Sequence, residues 1–254
     1  MEIGFVVAGL AVGFVVGLTG VGGGSLMTPI LLWFGITPAT AVGTDLLYAA
    51  LTKAGGVAVH HRRGHVDWRL VGWLAAGSVP AALLTLGLIS HIGPSHALDG
   101  LFRFMLGVAL ILTATAILGK PWLLRHVPTR WRDAPFAAMR PALWATGAVL
   151  GVLVTLSSIG AGALGTLALF LILPALPTTR LVGSEIAHAV PLTLVAGIGH
   201  AGLGHIDWSL LVNLLAGSLP GIWLGSHLSH RLHDGWLRPA LAVMLAFIGA
   251  RLVA

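Results

Sequence analysis

Cysteine is absent from this chain and charge is scarce. The first absence excludes disulfides and thiolate metal sites, and it leaves no redox clue to the compartment. The second says more. Only 9% of the 254 residues are charged, against 57% hydrophobic, whereas a soluble domain carries about 25% charged residues. So little charge cannot cover a water-facing surface, so the surrounding solvent is lipid. A bilayer admits only helices and closed barrels, because backbone polar groups find no water there. The apolar runs are long and rich in Leu, Ala and Val rather than alternating strands of about ten residues, which selects helices. The chain reads as an all-α polytopic membrane protein.

Other missing signatures narrow the function. No Gly-Lys-Ser/Thr run follows the glycines, so a phosphate-binding loop is rejected. No nucleophile–base arrangement appears, and neither enzymatic activity nor a cofactor is expected. The first residues, MEIGFVVAGLAVGFVVGL, lack a basic leader and a small-residue cleavage site, and read as a first helix rather than a signal peptide. The net charge of +6 reports basic cytoplasmic loops rather than a nucleic-acid partner.

What is present is a duplication. Gly43 to Pro80 recurs without a gap, 140 residues on, as Gly183 to Pro220. Identical across the pair are Gly43/Gly183, His60/His200, Gly64/Gly204, His65/His205, Asp67/Asp207 and Trp68/Trp208. So are Gly77/Gly217, Ser78/Ser218 and Pro80/Pro220. An internal repeat settles architecture before any other feature. Residues 1–118 read as a first repeat, 119–140 as a basic cytoplasmic linker, and 141–254 as a second repeat.

Each repeat offers about five transmembrane segments. The first half runs Ile3–Leu18, a short helix near Leu26–Phe34, Ala39–Val59, Trp68–Ile89 and Leu101–Leu118, and the second half follows the same plan. Five is odd, so the halves are expected to insert in opposite senses, as inverted repeats. Charge supports ten crossings with both termini outside. Eleven Lys and Arg residues then share one face, among them Arg130, Arg132, Arg231 and Arg238. The other face holds only Arg103 and Arg251, and Lys53 is left inside a helix. Re-entrant glycine segments remain the alternative. Asp67 and Asp207, each before an apolar run, suit helix caps. Trp68 and Trp208 suit the interface.

Two kinds of residue could carry chemistry. Gly20, Gly22, Gly23, Gly24 and Ser25 form a run that cannot be good helix, and Ser157, Ser158, Gly160 and Gly162 take its place in the second half. A helix broken at matching points in two repeats points to a secondary transporter's binding site. The freed N–H groups and the dipole of the following short helix favour an anion; glycines that merely allow tight packing are the plainer account. Each repeat also places a carboxylate in an apolar helix, Asp45 after Thr44 and Glu185 after Ser184. A carboxylate there is costly unless protonated, paired or facing a cavity, so both are candidate proton carriers. A structural hydrogen bond to freed backbone would also serve. Tyr48 and His188 fall on the same stripes as Asp45 and Glu185. Lys53, two turns beyond Asp45, is too far for a direct bridge, and could snorkel or meet the anion. His60, His65, His200 and His205 mark the corners, and His227, His230 and His233 form a run at a helix end. No Cys or Glu joins them, so interfacial hydrogen bonding is expected rather than metal.

Taken together, Gly20-x-Gly-Gly-Gly24, Pro29, Ala41-Val-Gly-Thr44, His60 and Gly64-x-Val-Asp-Trp68 are similar to the TauE/SafE family of sulfite-exporter-like membrane proteins. The resemblance covers essentially the whole chain, duplication included. It implies export of small sulfur-containing anions, sulfite or organosulfonates, across the bacterial inner membrane. It also implies that the glycine-rich breaks, Thr44 and Ser184 line the path. Two departures stand out: Asp45 and Glu185 occupy positions where the family commonly has Ser or Asn, and the second glycine break is degenerate. A carboxylate beside an anion site requires protonation, which proton-coupled alternating access would provide. The alternatives are a cation or metal transporter using Asp45, Glu185 and His188, or a non-transporting membrane scaffold. Oligomeric state is not legible.

Overall fold

The structure, a computed structural model, describes residues 2–19, 24–93, 96–125, 135–228 and 234–253. Gly20, Gly22, Gly23, Arg130, Arg132, Arg231, His230 and His233 lie outside those residues, as do the side chains of Ser25 and Arg238. The described residues form ten helices: α1 (Glu2–Thr19), α2 (Gly24–Trp33), α3 (Pro38–Arg62), α4 (Trp68–Ile92), α5 (His96–Arg125), α6 (Phe136–Ser157), α7 (Ala163–Ile172), α8 (Thr178–Gly202), α9 (Trp208–Leu228) and α10 (Asp234–Val253). Five of them, α4, α5, α6, α8 and α9, are long and apolar enough to cross a bilayer. The short helices α2 and α7 rise about 15 Å each, half the hydrocarbon thickness.

The basic stretch after Leu118 is more helical than its polarity suggests. α5 continues through Pro121 to Arg125, and the Lys120 ammonium lies 4.0 Å over the Phe170 ring of α7. The chain is helical again from Phe136.

Helices that do not adjoin in sequence make the closest pairs: α1 with α9, α4 with α6, α5 with α10 and α3 with α8. Without a hydrophobic force between helices in lipid, such pairs rest on close backbone approach. The repeated Gly-Ser pair supplies it. A Cβ at Gly77 would overlap the Trp144 carbonyl of α6, and one at Gly217 would overlap the Val6 carbonyl of α1. The partners return the contact, for Gly147 and Gly151 of α6 meet Leu74 and Ser78, while Gly9 and Gly13 of α1 meet Leu214 and Ser218.

α3 and α8 lie antiparallel. Gly43 abuts the His205 carbonyl and the His200 side chain at the far end of α8, and Gly183 abuts the His65 carbonyl and the His60 ring at the far end of α3. The two corners therefore sit at opposite ends of this pair. Each corner is built alike. His65 N–H donates to the His60 carbonyl and His205 N–H to the His200 carbonyl, both at 2.9 Å. Gly64 and Gly204 take φ of +69° and +77°, a left-handed turn that favours glycine. Asp67 and Asp207 then cap α4 and α9 as expected: Asp67 Oδ1 accepts from Arg69 and Leu70 N–H, and Asp207 Oδ1 from Leu210 N–H.

Candidate functional site

The described break, between α6 and α7, is the natural starting point. α6 ends where Ser158 turns left-handed at φ +57°, its N–H bonded to the Val154 carbonyl. Ser157 Oγ closes the turn locally, donating to the Leu153 carbonyl and accepting from Ile159 N–H. Gly160 and Gly162 take φ of +127° and +155°, which side chains rarely tolerate. The Gly160 and Gly162 carbonyls are satisfied by Gly165 and Thr166 N–H. The Ala161 carbonyl is met differently: the Lys53 ammonium donates to it at 2.5 Å. A cation from the first half thus binds backbone freed by the break in the second.

Residues 43 and 200 sit level, as do 60 and 183; at 1.5 Å per residue, Asp45 and Glu185 are about 20 Å apart along the α3–α8 pair. The site therefore has two levels, with Lys53 starting between them. The break threads from one to the other. Ser158 lies beside Asp45, Ala161 meets Lys53, and Gly165 rests against Glu185.

At the first level Asp45 is fully buried and accepts a 2.5 Å hydrogen bond from Thr28 of α2 on Oδ2. The Ser158 hydroxyl lies within reach of this carboxylate and the Tyr48 hydroxyl, one turn on, within reach of Ser218, but Asp45 Oδ1, Ser158 Oγ and Tyr48 OH make no hydrogen bond of good geometry. At the second level Glu185 is buried, its Oε1 without a partner and set against Gly165 in the first turn of α7. His188, one turn on, holds Ser78 through Nε2 at 2.8 Å and leaves Nδ1 without a partner. Lys53 lies within electrostatic reach of both carboxylates. Both carboxylates thus face the opening turns of half-helices, where the dipole is positive.

The buried, unpartnered polar atoms are the chemical content of this arrangement. Such groups are rare in native structures and call for a ligand, water or a catalytic role. Asp45 Oδ1, Tyr48 OH, Ser158 Oγ, Glu185 Oε1 and His188 Nδ1 belong to the two levels, while His60 Nδ1 and Thr113 Oγ1 lie outside them. The arrangement can exchange protons and can offer an ammonium to an anion. Among the described residues no three His, Cys, Asp or Glu side chains group as metal ligands do.

Several sequence-predicted residues are occupied otherwise. The Thr44 hydroxyl accepts from Asp207 N–H at 3.1 Å and the Ser184 hydroxyl from Asp67 N–H at 2.8 Å. Each ties its helix to the opposite corner instead of presenting a free hydroxyl. Ser157 is consumed by its own turn, and Gly24 opens α2. At the corners, the His200 Nε2–H donates to the Thr155 carbonyl at 2.9 Å and its Nδ1 meets His205 at 3.1 Å, with Phe102 packed on both rings. Burial pushes the His205 imidazole below its ordinary range, opposed by the Asp99 carboxylate. His227 bonds the Trp223 carbonyl. Sequence reasoning missed Thr28, a lone hydroxyl in an apolar helix beside Pro29, and the Ala161 carbonyl. Ser78 and Ser218 were visible only as repeat identities.

Comparison with known proteins gives the chain its relatives. Residues 5–252 match the family model described as Sulfite exporter TauE/SafE. A probable membrane transporter protein of Bacillus subtilis (strain 168), YjnA, is 40% identical over the full length of both chains. A second one, YdhB, is 27% identical over 95% of this chain and 96% of its own length. A probable membrane transporter protein of Xylella fastidiosa (strain 9a5c) is 28% identical over 88% of this chain and 83% of its own. No solved structure matches.

Proposed function

The chain belongs to the sulfite exporter TauE/SafE family of membrane proteins, and from that premise we propose that it is a proton-coupled secondary exporter of small sulfur oxyanions, sulfite or a short organosulfonate. The observation that carries this reading is Lys53, an ammonium held on the Ala161 carbonyl between two buried carboxylates. A carbonyl is a weak partner for a cation in a low dielectric, and an incoming oxyanion is a better one. The substrate displaces Ala161 from Lys53. Asp45 and Glu185 accept protons as it passes, which removes the repulsion that two carboxylates would otherwise impose.

The reciprocal helix pairs and the opposed corners support two inverted repeats exchanging access across the α3–α8 pair. α6 followed by the extended break and the half-helix α7 is long enough to go out and back, which supports five crossings per half. A bacterial inner membrane fits the family and the basic face. The cation alternative uses Asp45, Glu185 and His188, and the separation of about 20 Å along the pair keeps the two carboxylates from sharing one ion.

The test is flux of labelled sulfite and methanesulfonate in proteoliposomes under an imposed pH gradient. The expected result is flux that follows the gradient and loses that dependence in an Asp45→Asn/Glu185→Gln variant. Folded wild-type protein that moves neither anion would sink the reading.

A further inference from the structure

We propose that the protein carries a second oxyanion site, at the mouth of the face opposite the basic loops; its role in transport rests on the reading above. A cavity of about 560 Å³ opens there between the end of α2, the start of α3, the start of α5 and the last turns of α10. Arg103 and Arg251 line it, with Thr37, Asp99, Trp33 and Phe247. These arginines are the two cations that the sequence assigns to this face. They stand far apart in the chain, yet the α5–α10 pair brings both to one cavity.

Their surroundings suit an anion. The Arg251 guanidinium carbon lies 5.6 Å from the Phe247 ring centroid, a cation–π contact that does not use its N–H donors. Among the described residues neither arginine is ion-paired. Among the described residues Asp99 is the only side-chain carboxylate in the lining, and its field also falls on His205. Two guanidinium groups against one carboxylate leave a net positive cavity. α3 begins at its edge with Pro38, and Thr37 gives the helix no side-chain cap, its hydroxyl bonding Thr40 instead. The opening N–H groups of α3 therefore add to the positive field. The other wall, Trp33, Ile36 and Phe247, is apolar.

That combination fits a tetrahedral oxyanion carrying an alkyl arm, an alkylsulfonate or the phosphate headgroup of a lipid. Asp45 follows Pro38 by seven residues on the same helix, about 10 Å along its axis. The cavity thus stands as an antechamber to the first carboxylate level, where a sulfonate waits after release or before return. Nothing comparable is asked of the basic face, whose loops already carry the positive charge.

The experiment is equilibrium binding of ³⁵S-methanesulfonate to the full chain in neutral phosphatidylcholine nanodiscs, repeated in discs containing phosphatidylglycerol. The Arg103→Gln/Arg251→Gln variant is expected to lose one class of binding, with affinity down on the order of tenfold or more. Asp45→Asn/Glu185→Gln should keep that class, and Arg103→Lys/Arg251→Lys should restore it in part. Unchanged sulfonate binding together with loss of co-purifying phosphatidylglycerol, read by native mass spectrometry, would make the occupant a lipid headgroup on the same arginines. A folded variant that changes neither sulfonate binding nor retained lipid overturns the site. Single substitutions serve if the double variant fails to fold. Arginine-dependent binding in a wild-type protein without flux would sink the transport reading and leave this one standing. Normal gradient-driven flux with no arginine dependence of binding does the reverse.

Discussion

Asp45 and Glu185 occupy matching places in the two repeats and live in different surroundings. Asp45 is anchored by the Thr28 hydroxyl and faced by Ser158. Glu185, one methylene longer, sets its Oε1, which has no hydrogen-bond donor, against the bare backbone of Gly165. One turn on, Tyr48 stands where the other half has His188, each beside the serine of the repeated Gly-Ser crossing. The two glycine crossings are thus alike and the side chains around the two carboxylates are not. Backbone contacts tolerate little change, whereas side chains lining a polar path can diverge once the frame holds them. The second carboxylate is the freer partner for Lys53, and the first is the more tightly held.

The frame is tested first, because its failure costs most. Gly77→Val and Gly217→Val should each destabilise the fold by about 3 kcal/mol, since both drive a side chain into a partner carbonyl. Chemical unfolding of each in micelles measures this. Penalties that differ by more than about 1 kcal/mol would break the equivalence of the crossings.

Lys53→Met comes next. It should lower sulfite flux about 100-fold, near 2.7 kcal/mol, while leaving the protein folded. Retention of most of the flux would remove the ammonium from the path.

The two carboxylate settings are compared directly by Thr28→Val and Gly165→Ala. The first strips Asp45 of its donor and should cost roughly 1–3 kcal/mol of stability. The second moves only the end of a flexible glutamate and should cost under about 1 kcal/mol, while still perturbing flux. Equal stability losses would mean that both carboxylates are anchored alike.

Smallest is the corner pair. Gly64→Ala and Gly204→Ala should each cost about 1 kcal/mol for the positive φ alone, with open space for the methyl group. Both should fall by the same amount in thermal unfolding.

Part of this site was legible in the chain. Asp45 and Glu185 stood out because a charge in an apolar helix is costly, and Ser158 and Gly160 because they interrupt one. The hydroxyls of Thr44 and Ser184 looked equally suited to a substrate. In the folded protein they instead bind the backbone of Asp207 and Asp67, partners 163 and 117 residues away. Thr28 went unread because one hydroxyl in an apolar helix bonds its own backbone unless a third element presents a carboxylate.

Helical class, duplication, caps and corners were written locally, in composition, in a constant offset and in residues that act on their near neighbours. The pairing of α1 with α9 and of α4 with α6, the staggering of the carboxylates and the meeting of Lys53 with Ala161 were not. Those depend on which helices approach across long stretches of intervening chain. In lipid that choice rests on shape fit between backbones, and shape exists only once the helices are packed.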